Sequence, residues 1–93
     1  MGTDSIVGIG VSVWDCISRI ESYPKHGSVV HASDRFEGIC GGITVAIATA
    51  ARLGSETAMI DALGDDQASQ SIIRSLEDTG VNQIGLQRYP NAS

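Results

Sequence analysis

Apolar and polar positions along the chain follow strand-like and helix-like patterns in turn. Residues 5–14 form an uncharged run rich in Ile and Val, which predicts a buried parallel strand. Residues 44–53 are apolar on every side, which predicts a helix buried between the sheet and another layer. Residues 57–63 and 83–88 predict two further strands, and residues 67–79 carry an apolar stripe at helical spacing.

The segment between the first strand and the first helix has a different pattern. Within residues 16–37, residues 17–21 alternate loosely between apolar and polar side chains, and residues 22–27 have the composition of a turn. Residues 28–36 have strand propensity but carry charged side chains, so one face of that strand is expected to be solvated. We interpret residues 16–37 as a β-excursion that interrupts the first crossover.

The order of elements is therefore strand, β-excursion, helix, strand, helix and strand. This alternation predicts an α/β fold with a partial Rossmann-like parallel sheet and right-handed crossovers. The 93 residues are one small domain at most, or a piece of a larger one. So thin a sheet leaves edges exposed, so we predict marginal stability and a tendency to associate. A sharp, concentration-independent thermal transition would contradict that prediction.

Composition and charge restrict the class of partner. The formal net charge of −5 at pH 7 argues against nucleic acid and against an anionic membrane. The chain has no apolar run of about 18 residues, and its start lacks the positive charge and cleavage pattern of a signal peptide. These observations predict a cytoplasmic protein. In that compartment Cys16 and Cys40 are most simply free thiols, and a disulfide between them is disfavoured.

Candidate ligand-binding residues lie after the first strand and before the first helix. Asp15 follows the apolar run, and open α/β sheets bind ligands at the carboxyl edge of their strands. Gly41 and Gly42 precede the helix, and paired glycines let bare backbone N–H groups approach a small ligand. This edge of the sheet is therefore a candidate ligand-binding edge.

The remaining ionisable residues have structural interpretations. Asp61 lies in a central strand and is expected to be half-buried and hydrogen-bonded. Asp65 and Asp66 are expected to cap the following helix rather than to bind Mg²⁺. His26 and His31 lack the neighbouring ligands that would complete a metal site, so we expect both on the surface.

Residues 8–10, Gly-Ile-Gly, resemble the start of a dinucleotide-binding fingerprint. No third glycine follows at the required spacing, and no helix pattern follows directly. Close packing of these glycines inside a buried strand is the favoured interpretation. An NAD-binding fragment is the weaker alternative.

Several short motifs occur in a fixed order along nearly the whole chain. They are IVGIGVSVWD at 6–15, Tyr-Pro-Lys at 23–25, Gly-Gly at 41–42, Ala-Arg-Leu-Gly at 51–54, Gly-Asp-Asp at 64–66, Leu at 76 and Gly-Val-Asn at 80–82. This set resembles the N-terminal part of the ribokinase-like (PfkB-type) carbohydrate kinases, which transfer the γ-phosphate of ATP to a sugar hydroxyl. The resemblance implies that residues 1–93 are the N-terminal segment of a ribokinase-like domain, with ATP and Mg²⁺ as cofactors of the intact enzyme.

The resemblance implies sugar-binding roles for Asp15, Gly41 and Gly42. In this family the acid after the first strand hydrogen-bonds sugar hydroxyls, and a carboxylate suits that task because it accepts hydrogen bonds from two hydroxyl groups at once. The family's glycine pair lets the sugar approach the helix N-terminus. The β-excursion resembles the family's lid, which closes over the sugar and often forms the dimer contact, so a homodimer through the lid is expected.

Two positions depart from the family's pattern. The family's sugar-binding Asn falls on Val45, and the small residue two positions later is Ile47. Thr44 is the candidate to supply the missing polar contact. These departures leave open which sugar is bound.

The family's catalytic base is an Asp in a Gly-Ala-Gly-Asp segment near the C-terminus, and these residues contain no such segment. Phosphoryl transfer depends on positioning and on charge stabilisation by that part of the enzyme, so no catalytic residue is expected in this chain. Two hypotheses follow. The chain is the sugar-binding and lid portion of a carbohydrate kinase, or it is a non-catalytic, kinase-derived module that dimerises through the lid.

Overall fold

The computed structural model of the protein describes residues 5–92. In chain order its elements are β1 (Ser5–Ile9), β2 (Val13–Arg19), β3 (Asp34–Cys40), α1 (Gly42–Arg52), β4 (Glu56–Leu63), α2 (Gln67–Thr79) and β5 (Leu86–Arg88). Among these described residues, no helix combines the length and the apolar character that crossing a bilayer requires.

A parallel sheet with the strand order β1-β4-β5 forms the base of the fold. β4 pairs with β1 from Ser5↔Glu56 to Ile9↔Ile60, and it pairs with β5 on its other side. α1 connects β1 to β4 and α2 connects β4 to β5, so each helix is the crossover between two parallel neighbours. The predicted α/β fold with a parallel sheet is therefore confirmed, and α2 has the predicted bounds.

The hydrophobic core lies between the sheet and the two helices. Met59 and Leu63, two of the inward side chains of β4, pack in one cluster with Ile47 of α1 and with Ile72 and Leu76 of α2. Burial of each such side chain contributes about 1.5–3 kcal/mol. Because both helices pack against this one face of β4, the core has a single layer of helices.

The prediction that α1 is buried on every side is wrong for this chain. Its buried residues are Thr44, Ile47 and Ala48, whereas Val45 is 41% exposed and Leu53 is 82% exposed. The sheet covers one side of the helix, and no second layer of the described residues covers the other. α1 therefore has more apolar side chains than the described part of the fold buries.

The face of the sheet that points away from the helices is also exposed. Val7, Ile9 and Ile60 lie on β1 and β4 and remain substantially accessible to solvent. Because side chains on this face are apolar as well, the sequence of residues 5–14 predicts a strand that is buried on both faces. In the described residues this face of β1 and β4 has no cover.

The β-excursion predicted over residues 16–37 is an antiparallel two-stranded sheet formed by β2 and β3, which we call the lid and which spans the longer range 13–40. Its register runs from Val13↔Cys40 to Arg19↔Asp34. The prediction that the first strand extends through residue 14 and ends in Asp15 is wrong, because β1 ends at Ile9 and a short link, residues 10–12, leads into β2. Asp15 therefore lies inside the first strand of the lid, not at the edge of the parallel sheet.

Candidate functional site

The link formed by residues 10–12 is where the parallel sheet, the lid and α1 meet. The backbone N–H of Gly10 donates to the carbonyl oxygen of Ile60 at 3.4 Å. The backbone N–H of Ser12 donates to Oδ2 of Asp61 at 2.7 Å, and Oδ1 of Asp61 accepts from the N–H of Ala62 at 2.7 Å. The structural, hydrogen-bonded role predicted for Asp61 is confirmed.

The glycine pair before α1 has one constrained member and one free member. Gly41 has φ = 94°, and a Cβ at this position would overlap the backbone carbonyl of Val11. A Cβ on Gly42 would meet no atom within 4 Å. Of these two positions, only position 41 requires glycine. A residue with a Cβ would be strained there by the positive φ and would collide with the carbonyl group of Val11.

The N-terminus of α1 presents backbone donors without a side-chain cap. The first intrahelical hydrogen bond is donated by Val45 to the carbonyl oxygen of Gly41, at 3.0 Å. The N–H groups of the preceding helical residues have no intrahelical acceptor, and the N-cap residue Gly41 has no side chain with which to supply one. This end of α1 can therefore donate hydrogen bonds to a small polar ligand.

Thr44 points into the protein rather than toward a ligand. Its side chain is fully buried, with Oγ1 lying 2.9 Å from Oγ of Ser12 and 3.5 Å from the carbonyl oxygen of Val11. The suggestion that Thr44 supplies a polar contact to a sugar is therefore wrong. Its hydroxyl is already engaged in joining α1 to the link.

Val45 lines a groove of about 190 Å³ between α1 and the lid, together with Ile39, Ala48, Thr49 and Arg52. Ile47 is buried in the core. The two departures from the resemblance thus have different surroundings, because Ile47 packs against the sheet while Val45 faces a partly open groove.

Asp15 lies in the lid strand β2, directly opposite Gly38 of β3. Alternation along a strand places Asp15 on one face of the lid and Trp14 on the other, where Trp14 packs against the core. The carboxylate of Asp15 makes no side-chain hydrogen bond within residues 5–92, and Gly38 offers no Cβ beside it. The three steps along the chain from Gly38 to Gly41 span about 10 Å when the backbone is extended.

The opposite face of the lid carries a hydrogen-bonded cluster that the sequence did not reveal. Oε1 of Glu37 accepts from Cys16 Sγ at 3.2 Å, from Trp14 Nε1 at 3.3 Å and from Arg35 Nη2 at 3.3 Å. The hydrogen bond from Cys16, followed by that from Trp14, lowers the pKa of Glu37. Only the register reveals this cluster, because Cys16 pairs with Glu37 across the two strands.

Exposed apolar side chains occupy the face of the lid that includes Asp15. Ile17 and Phe36 pair across the strands and are 60% and 54% exposed. The guanidinium of Arg19 lies 5.9 Å from the ring centroid of Phe36 and forms an ion pair of 3.7 Å with Asp34. This face therefore combines an apolar pair with a charged border.

The acidic residues after β4 have structural roles. Asp66 is the N-cap of α2, and its Oδ1 accepts from the N–H of Ser69 at 3.0 Å, while hydrogen bonding with Ser69 lowers the pKa of the carboxyl. Oδ1 of Asp65 accepts from the N–H of Asn91 at 3.1 Å. Capping is confirmed for Asp66, whereas Asp65 instead holds the segment after β5. No cluster of three metal-ligating side chains occurs among the residues that the structure describes.

The two glycines of residues 8–10 pack closely as predicted, but only Gly8 lies in a strand, because β1 ends at Ile9. A Cβ on Gly8 would lie 2.5 Å from Cγ1 of Ile47, and a Cβ on Gly10 would lie 3.1 Å from the side chain of Ile43. Both glycines therefore allow α1 to pack closely on the first strand and the link. Cys16 and Cys40 are both free thiols.

The sequence matches a known family along almost all of its length. Residues 4–93 match the family described as pfkB family carbohydrate kinase. The chain is 34% identical over 90 residues to a deoxyribokinase from Salmonella typhi, and the match covers 95% of this chain and 29% of the relative. It is 25% identical over 79 residues to a ribokinase from Dictyostelium discoideum, covering 85% of this chain and 25% of that protein.

A solved structure shows the same architecture. The structure of Arabidopsis thaliana ribokinase complexed with ribose and ATP matches with a TM-score of 0.80 and 26% sequence identity. The match covers 98% of this chain and 30% of that one. The chain thus spans less than a third of the length of these relatives.

Proposed function

Because the chain belongs to the pfkB family of carbohydrate kinases, we propose that it forms the sugar-binding and lid portion of an enzyme that transfers the γ-phosphate of ATP to a sugar hydroxyl. The observation that carries this proposal is the uncapped N-terminus of α1 next to the base of the lid strand that holds Asp15. Such an arrangement supplies hydrogen-bond donors and an acceptor from segments that adjoin where β3 leads into α1, as a polyhydroxylated ligand requires.

Asp15 is the proposed acceptor for the sugar hydroxyls. An ionised carboxylate has two oxygens and accepts hydrogen bonds only, so it suits a ligand that presents adjacent O–H donors. Its lack of a side-chain partner in residues 5–92 leaves both oxygens available. Gly38 opposite it provides open space on the neighbouring strand.

Gly41 and Gly42 are the proposed point at which the sugar approaches the backbone. The N–H groups of the first turn of α1 would donate to sugar oxygens, with the positive end of the helix dipole strengthening these hydrogen bonds. Gly41 brings that turn against Val11 of the link. Gly42 keeps the surface of the turn free of a side chain.

The lid has the proposed task of excluding water. A phosphoryl group can be lost to water unless the acceptor site is closed during transfer. Asp15 lies on the lid strand β2, so closure of the lid would also bring the carboxylate to the sugar. The lid would then couple sugar binding to closure.

ATP is the proposed phosphoryl donor, and Mg²⁺ would neutralise the charge of its phosphates when bound. The carboxylates of Asp65 and Asp66 do not fit a site for Mg²⁺, since Asp66 caps α2 and Asp65 accepts from Asn91. We propose that the nucleotide site, the metal site and the catalytic base are supplied by polypeptide outside these 93 residues. The residues of this chain would bind and orient the sugar.

Two further features of the proposed enzyme are its assembly and its location. A homodimer through the lid is supported by the exposed pair Ile17 and Phe36, because apolar side chains at the centre of a patch with a charged border are typical of an interface. A cytoplasmic location is supported by the requirement for ATP and by the free thiols Cys16 and Cys40.

The direct test is an assay of the native gene product for sugar-dependent consumption of ATP. Ribose and 2-deoxyribose are the first acceptors to compare, because relatives of this chain are a ribokinase and a deoxyribokinase. Phosphorylation of either sugar supports the proposal. Absence of phosphorylation with pentoses and hexoses alike, in a product that binds ATP, would contradict it.

A further inference from the structure

Asp61 replaces a backbone acceptor at the point where β1 leaves the sheet. The last backbone bond from this strand to β4 is donated by Gly10 to the carbonyl oxygen of Ile60. In a continued parallel ladder the next donor would be the N–H of Ser12, with the carbonyl oxygen of Ala62 as acceptor. Oδ2 of Asp61 accepts that N–H instead, at 2.7 Å.

A second contact holds the same link from the side of the helix. Oγ of Ser12 lies 2.9 Å from Oγ1 of the buried Thr44, which also lies 3.5 Å from the carbonyl oxygen of Val11. The link is thereby fixed between β4 and α1. Neither anchor is a residue to which the family resemblance assigns a role.

The two anchors are close in sequence to the candidate sugar contacts. Ser12 precedes Asp15 by three residues, and Gly41 precedes Thr44 by three residues. A shift of the link would therefore move Asp15 relative to the first turn of α1. A misplacement of about 1 Å is enough to weaken a site that depends on several simultaneous hydrogen bonds.

The carboxylate of Asp61 is well suited to this task. It accepts two backbone N–H groups, from Ser12 and Ala62, both at 2.7 Å, a length typical of charge-assisted hydrogen bonds. No Lys or Arg of residues 5–92 forms an ion pair with it. Neutralising Asp61 therefore removes its charge without leaving a cation unpaired.

We propose that Asp61 is a positioning residue for the sugar site: its carboxylate ends β1 at the link and sets the place from which the lid strand starts. This inference rests on the proposed function. Asp61 does not touch the sugar. It acts through the backbone of Ser12 on the separation between Asp15 and the N-terminus of α1.

The variants that test this inference are Asp61→Asn and Asp61→Ala, with Asp65→Asn as the matched control. Asn keeps one acceptor oxygen, whereas Ala keeps none. Asp65 lies just after the same strand and also accepts a backbone N–H, from Asn91, but it does not touch the link. Thr44→Val removes the second anchor and should act in the same direction as the Asp61 variants.

The first measurement is amide hydrogen exchange in the native gene product. We expect the N–H of Ser12 to exchange about tenfold faster or more in Asp61→Ala, with Asp61→Asn between Ala and the wild type. The N–H of Ile60, inside the β1–β4 ladder, should keep its protection. Equal exchange at Ser12 in the wild type and in both Asp61 variants would overturn the inference.

The second measurement is the Kd for the sugar that the wild type binds, at a temperature where every variant is folded. We expect about tenfold weaker binding in Asp61→Ala, a smaller loss in Asp61→Asn, and no change in Asp65→Asn. If Asp61 only stabilises the fold, its substitution would lower the melting temperature and leave this Kd unchanged, which would overturn the inference.

If the wild type binds no sugar, the proposed function itself fails. If the wild type binds and the Asp61 variants bind equally well, only the positioning role fails. Should Asp61→Ala not fold, Asp61→Asn and Thr44→Val decide the question.

Discussion

The carbonyl oxygen of Val11 occupies the space that a Cβ on Gly41 would need, so the link to the lid and the start of α1 are in direct backbone contact. This contact ties together the segments that carry the candidate sugar ligands. Gly42, the next residue, has no such neighbour. The two glycines therefore give a matched pair of variants.

Gly41→Ala is expected to destabilise the fold, and Gly42→Ala is not. The sparsely populated backbone of Gly41, with φ = 94° and ψ = 123°, costs about 1–3 kcal/mol with a Cβ present, and the overlap with Val11 adds to that cost. Ala at position 42, the first residue of α1, gains no more than the helix propensity of about 0.5–1 kcal/mol that applies in a helix interior. The free energy of unfolding, from urea denaturation of each variant, measures both effects. Equal destabilisation by the two substitutions would contradict the contact between Gly41 and Val11.

Asp15→Ala is expected to weaken sugar use in the native gene product. Hydrogen bonds to a charged group contribute about 1.5–3 kcal/mol, so kcat/KM for the sugar should fall about 10- to 100-fold. The KM for ATP should change little. Asp34→Ala is the matched control, because Asp34 lies in the lid and its carboxylate is exposed and paired with Arg19. Unchanged sugar KM and kcat in Asp15→Ala would remove Asp15 from the site.

Low pH is expected to break the hydrogen bonds that Glu37 accepts from Cys16 and Trp14 in the lid. The folded-state pKa of Glu37 is lowered, first by the hydrogen bond from Cys16. The stabilisation that it provides is therefore complete above the unfolded-state pKa of about 4.3 and is lost as the pH falls through the lower folded-state value. Trp14, the sole tryptophan, reports this change because its Nε1 donates to Glu37.

The fluorescence of Trp14 should thus titrate with a midpoint below the ordinary glutamate value, and Glu37→Gln should abolish that transition. Glu21→Gln is the control, because Glu21 lies outside both lid strands and is exposed. A transition that persists unchanged in Glu37→Gln would show that another group causes it.

Association through the lid is expected to depend on the pair Ile17 and Phe36. Ile17→Asp places a charge in the centre of the exposed apolar pair and should convert a dimer into a monomer, as measured by light scattering over a range of concentrations. Leu53→Asp is the control, because Leu53 is even more exposed but lies at the C-terminal end of α1. Dimers that survive Ile17→Asp and dissociate with Leu53→Asp would place the interface on α1.

Local patterns were sufficient for the elements whose periodicity agrees with their packing. The stripe of α2 identified its buried side, because Ile72 and Leu76 do pack against β4. The N-cap role of Asp66 followed from its place before that stripe, and the strand over residues 57–63 lies within β4. In each case the residues that define the element also make its main contacts.

The sequence by itself determined the fold class, the order of the elements and the family, because these depend on periodicity and on motifs at fixed spacing. Only the tertiary structure decided where β1 ends. The Ile- and Val-rich run continues past that point, and a side chain from a distant strand, Asp61, diverts the backbone at Ser12. The inward direction of Thr44, the difference between Gly41 and Gly42 and the cluster around Glu37 were likewise decided by contacts between segments far apart in sequence. The sequence pattern of a single segment does not predict such contacts, because each contact depends on the register and the position of another element.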